Sequence, residues 1–126
     1  MDAFVARLPC EVSRLAALRR DLGGWLAETD LSDRIKSSVV LATHEAAANA
    51  IEHATPCESV EVSAAIDEGN LTVAVRGTGV WKHASLDNPE RGRGLIMISA
   101  LVPRVEIVTE PGGTTVRMIA PLRDDT

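Results

Sequence analysis

The 126 residues fit a single domain, 1–126, long enough to bury a core without disulfide staples. A net charge of -5 argues against nucleic acid as the main partner, because a phosphate-backbone binder is ordinarily basic. No stretch reaches the roughly 18 apolar residues of a membrane span, and the N-terminus lacks a basic region leading into an apolar one.

Cys10 and Cys57 fit no metal or redox spacing, so two small buried or half-buried thiols are expected, with a reducing cytoplasm as the setting. Aromatic residues are few (two Trp and one Phe), so the core has to be built from Val, Leu, Ile and Ala.

In chain order, Ala3–Pro9 reads as a strand ended by proline. Ser13 then caps a helix in which Leu15, Leu18, Leu22, Trp25 and Leu26 recur at helical spacing, with Arg14, Arg19, Arg20 and Asp21 on the other face. Ser32 caps a longer helix to about Ala54, striped by Ile35, Val39, Ala42, Ala46 and Ala50 and stopped by Thr55-Pro56. From Ser59 the period becomes two. Val60, Val62, Ala64 and Ile66 form one strand, Glu68-Gly69-Asn70 a hairpin turn, and Leu71, Val73 and Val75 a second strand.

Residues 76–94 read as an irregular, glycine-containing loop of the length used for lids and binding segments. A short helix follows over Leu95–Leu101. Two more strands, around Val105–Thr109 and Thr115–Pro121, are joined by Pro111-Gly112-Gly113. Helices grouped together and strands joined by hairpins imply an α+β two-layer sandwich, its sheet mixed or mostly antiparallel and its helices on one face.

Three stretches carry chemistry. On the long helix, Glu45, Asn49 and Glu52 stand at i, i+4, i+7, one column beside the apolar stripe, with His53 nearer the stripe. A carboxylate and an amide oxygen there suit an oxygen-liking divalent cation and a water. By itself the column reads more simply as a solvated helix edge. The strand VAVRGTG ends in a Gly-x-Gly turn at Gly77 and Gly79, and RGRGL, Arg91–Leu95, opens a helix. Glycines at a helix N-terminus let backbone N–H groups approach a phosphate, and two arginines add charge.

In this order the motifs resemble the GHKL ATPase superfamily, and within it the small anti-sigma factor serine/threonine kinases of bacteria. EAAANAIEHA is similar to their N-box, RGTGVW to the first glycine box, ERGRGLIMISAL to the second, and GGTTVRMIAPL to the closing G-T-x-V strand. The resemblance implies the Bergerat ATP-binding fold. It implies ATP and Mg²⁺ as cofactors, with Asn49 as the Mg²⁺ ligand, Glu45 as general base and His53 near the phosphates. Gly77 and Gly79 would form the first glycine box. Gly92 and Gly94 would line the triphosphate, with Arg91 and Arg93 beside them and Leu95 at the turn into the helix. Thr115 would lie near the adenine.

The resemblance further implies a cytoplasmic homodimer, bound neither to membrane nor directly to nucleic acid, whose partners are an anti-anti-sigma protein and a sigma factor. In the family the first glycine box begins with an aspartate that accepts a hydrogen bond from the adenine amino group. Gly77 stands there in this chain. A binding module of the same fold without kinase turnover is the second expectation.

Overall fold

The structure, a computed structural model, describes residues 2–81 and 98–122. Strand β1 spans Phe4–Pro9. A single 3-10 turn at Val12–Arg14 leads into α1, Leu15–Leu26, and α2 spans Asp33–His53. Then come β2 (Ala54–Thr55), β3 (Ser59–Asp67), β4 (Asn70–Thr78) and β5 (Val80–Trp81). Residues 98–101 are helical, and β6 (Arg104–Glu110) and β7 (Gly113–Pro121) close the fold.

Five strands form one sheet in the order β1-β3-β4-β7-β6, every neighbouring pair antiparallel. The expected α+β sandwich is therefore present, with a described sheet that is wholly antiparallel. Alternation decides which residues face the helices. Val60, Val62 and Ala64 of β3, Leu71, Val73 and Val75 of β4, and Val116, Met118 and Ala120 of β7 are all buried. They meet Leu15, Leu18, Leu22 and Leu26 of α1 and Ile35, Val39, Ala42, Ala46 and Ala50 of α2 in one core. The small alanines of α2 let its backbone lie close to the sheet.

The opposite face carries charged side chains. Arg7 pairs in register with Glu61 and Glu61 with Arg76, and Arg117 lies 3.7 Å from Glu106. Such exposed pairs contribute little stability, about 0–1 kcal/mol each, and mainly keep this face polar.

Local chemistry explains the boundaries. Ser32 caps α2, its hydroxyl accepting from the Ile35 N–H at 3.2 Å. Ser13 makes no such cap. It falls within the 3-10 turn, and α1 starts at Leu15 without a side-chain cap. Glu68 and Gly69 both have positive φ, 49° and 80°, the two-residue turn whose twist suits a hairpin. Pro111 and Gly112 join β6 to β7, Gly112 supplying the positive φ of 87°. Trp25, at the end of α1, is half-buried against Phe4 with ring centroids 6.3 Å apart, and its indole N–H donates to the Asp2 carbonyl.

Two further features differ from the sequence reading. The helix ends at His53, and Ala54–Thr55 pairs with Val80–Trp81 as a second, two-stranded sheet. Cys10 and Cys57 are not thiols. They are joined as a disulfide across 47 residues, their Cα atoms 6.0 Å apart, well within bridging range. Their pairing is set by tertiary proximity, because Pro9 beside Cys10 lies in register with Ser59 near Cys57.

Candidate functional site: the C-terminal half of α2 over the glycine turn

The site takes its shape from how α2 lies on β4. Near its start, Arg34, Ile35, Ser38 and Val39 share a cavity of about 250 Å³ with residues 99–103 and with Ala120 and Pro121. Pro121 is the register partner of Asn70, where β4 begins. At its other end α2 runs through His53 into β2, which pairs with β5 just past the end of β4. The helix therefore runs along β4 in the same direction, bringing its C-terminal half to the Gly77 end. That cavity lies at the opposite end of the helix, roughly 16 Å of helix rise from Asn49, and is not the site.

Helical spacing places Arg34, Ser38, Glu45, Asn49 and Glu52 on one flank of the buried stripe, the flank that residues 99–103 border lower down. Glu45 and Asn49 are half-buried, one turn apart, and Glu52 is exposed. His53, the last residue of α2, keeps 39% of its side chain exposed and has Nε2 3.8 Å from a Glu52 carboxylate oxygen. On the other flank, His44 is hydrogen-bonded through Nδ1 to the Arg19 guanidinium at 2.8 Å, joining α2 to α1.

Beneath this half of the helix lies the glycine turn. Gly77 is not in the turn proper. It is buried inside β4, paired with Val60 on one side and Thr114 on the other. Its φ is not positive, whereas that of Gly79 is 86°, so Gly79 is the residue whose conformation favours glycine. The Gly79 N–H donates to the Gly112 carbonyl at 3.2 Å. Between the two glycines, Thr78 turns its hydroxyl toward the start of β3 and accepts from the N–H groups of Glu58 at 2.8 Å and Ser59 at 3.2 Å.

The closing strand departs from expectation by one residue. Thr115 pairs with Arg76 and points to the outer, charged face of the sheet. Thr114 points toward the helices, is fully buried, and its hydroxyl has no partner among the described residues. A buried hydroxyl without a partner costs on the order of 1–3 kcal/mol, so a position that keeps one invites a ligand. Two signals in the sequence pick it out. The motif G-T-x-V laid on Gly113-Thr114-Thr115-Val116 assigns the threonine to 114, and alternation back from buried Val116 gives the same residue.

Arg91, Gly92, Arg93, Gly94 and Leu95 lie outside the described residues, as do His83 and Met97. Among the described residues no group of three His, Cys, Asp or Glu side chains could hold a metal ion by itself. Mg²⁺ needs no such cage, since it commonly takes one or two protein oxygens and completes its shell with phosphates and water. The half-buried Asn49 amide, with Glu45 one turn away, is an oxygen donor set of that kind.

A five-stranded antiparallel sheet with its helices packed on one face, and a long helix laid along it toward a glycine turn, is the architecture of the GHKL, Bergerat-fold class of ATPase domains. The model of the histidine kinase-like ATPase domain family matches residues 8–120, and the chain belongs to that family. It is similar to a solved structure, the RsbU and RsbW domains of Rv1364c from Mycobacterium tuberculosis, with 28% identity and a TM-score of 0.80. That match covers 97% of this chain and 33% of the other, so the chain spans about a third of that structure's length. Among the described residues no helix is long and apolar enough to cross a membrane.

Proposed function

We propose that this chain is an ATP-dependent protein serine/threonine kinase that phosphorylates a STAS-type anti-anti-sigma protein and holds a sigma factor when that antagonist is phosphorylated. The observation that carries the reading is the half-buried Glu45–Asn49 pair on the half of α2 that lies toward the Gly77–Gly79 end of β4. The family match and the likeness to a structure containing an RsbW domain support it.

In this reading Asn49 holds Mg²⁺, which when bound neutralises charge on the phosphates. Glu45 accepts the proton of the acceptor hydroxyl, which phosphoryl transfer requires of a positioned base. Gly92 and Gly94 offer backbone N–H groups to the triphosphate, Arg91, Arg93 and His53 add positive charge, and Leu95 follows at the turn into the helix. Thr114, rather than Thr115, faces the base, beside Gly77. The protein works in the cytoplasm as a homodimer, with the antagonist and the sigma factor as its partners.

Gly77 favours a second reading, a nucleotide-binding module that engages partners without turnover, because glycine supplies no acceptor for the adenine amino group. Incubation with γ-labelled ATP, Mg²⁺ and a serine-bearing STAS protein separates the two. Label on the STAS protein is expected for the kinase, and nucleotide binding without transfer would favour the module.

A further inference from the structure

The disulfide lies on a short path to the glycine turn. Residues 54–59 follow α2 and are fastened to that turn at two places. On one side Ala54 and Thr55 pair with Trp81 and Val80. On the other, Glu58 and Ser59 donate their N–H groups to the Thr78 hydroxyl. Cys57 stands between the two fastenings, next to Pro56, which has no N–H to anchor it. Its bond to Cys10 is the covalent tie that fixes this segment to the end of β1. Both cysteines are half-buried, so a small thiol can reach the pair.

We propose that Cys10–Cys57 is a redox-modification site, opened by dithiol reductants, whose state sets the rigidity of the Gly77-Thr78-Gly79 turn. Reduction begins when a reductant thiolate attacks one cysteine sulfur. The protein S–S bond breaks, a mixed disulfide forms, and the other cysteine leaves as a thiolate that takes up a proton. The reductant's second thiol then displaces the first cysteine, so that two electrons and two protons pass to the protein and the reductant ends as a disulfide. Closing the bond again requires an oxidant of the disulfide class, such as oxidised glutathione. In a reducing compartment, disulfides are mostly transient and redox-sensing rather than permanent staples.

The link runs through Thr78. With the bond closed, residues 56–58, just ahead of the β1–β3 pairing that begins at Ser59, are held against β1, and the Thr78 hydroxyl keeps its two donors. With it open, this stretch is released and the turn loses that support. The consequence for ATP rests on the nucleotide-site reading above, with the turn forming part of the pocket, so reduction weakens ATP binding.

Amide hydrogen exchange in the nucleotide-free protein, with and without dithiothreitol, tests the coupling. Exchange at Glu58 and Ser59 is expected to quicken about fivefold or more on reduction, the lower end of ordinary site-to-site coupling, while Val62 and Val73 keep their protection. Cys10→Ser should show the reduced pattern and ignore dithiothreitol. Equal exchange in both redox states would overturn the proposal. So would loss of protection throughout the core, which would make the bond a simple staple, or two free thiols in protein treated with oxidised glutathione. Calorimetry with Mg²⁺-ATP on the same samples should show affinity about fivefold weaker after reduction. A clear exchange response in a protein that binds no nucleotide would overturn the ATP reading and leave the redox site standing. Exchange that responds beside an ATP affinity that does not would overturn the link to the pocket.

Discussion

Gly77 and Thr114 are register partners across β4 and β7, and the hydroxyl of Thr114 is fully buried with no hydrogen-bond partner among the described residues. One residue lacks a side chain and the other has a polar group to spare, side by side under the C-terminal half of α2. The juxtaposition makes this spot the floor of the proposed base pocket, and it yields two opposed mutations.

Gly77→Asp should tighten ATP binding. The backbone at Gly77 is ordinary strand, so a side chain brings no left-handed strain. A charged acceptor for the adenine amino group is worth about 1.5–3 kcal/mol, roughly ten- to a hundredfold in affinity. Preference for ATP over GTP should rise with it, because guanine carries a carbonyl at the matching position. Titration with both nucleotides checks this, and an ATP affinity that does not change in a folded variant would remove Gly77 from the pocket.

Thr114→Val should move stability and binding in opposite directions. Replacing an unpartnered buried hydroxyl by a methyl of similar shape should stabilise the free protein by about 1 kcal/mol, read as a higher melting temperature. ATP affinity should fall roughly two- to tenfold with the loss of one neutral hydrogen bond. Thr115→Val, on the outer face, should leave ATP affinity alone. If Thr115→Val weakens ATP binding and Thr114→Val does not, the assignment is reversed.

Most of this architecture is legible in the chain itself. The period-two runs of Val60–Ile66 and Leu71–Val75, and the Ile35–Ala50 stripe, announce their elements because each has one buried face. The Glu45–Asn49 spacing and the glycine motifs point to the ATPase class. What escapes is of three kinds. Two-residue strands such as Ala54–Thr55 are too short to show a period. The Cys10–Cys57 pairing depends on β1 lying beside β3, which no spacing encodes. The third is the choice between Thr114 and Thr115, which alternation back from Val116 does encode but which a slip of one residue in reading the parity reverses, exchanging the two faces.

Glu45→Gln isolates the chemical step. The amide preserves shape but cannot take a proton, so phosphotransfer to the STAS protein should fall by about 10²–10⁴-fold while ATP binding persists. Rates from single-turnover assays at saturating ATP are the measure, and a variant as fast as the parent would take the base role away from Glu45.

The central claim is that Asn49 and the glycine turn together make a Mg²⁺-dependent ATP site, and calorimetry on the oxidised protein and its Asn49→Ala variant tests it most directly. The parent should bind ATP more tightly with Mg²⁺ than without. Asn49→Ala should lose that difference while melting as the parent does. Equal Mg²⁺-ATP affinity in the two proteins, or no ATP binding by either, would contradict the account.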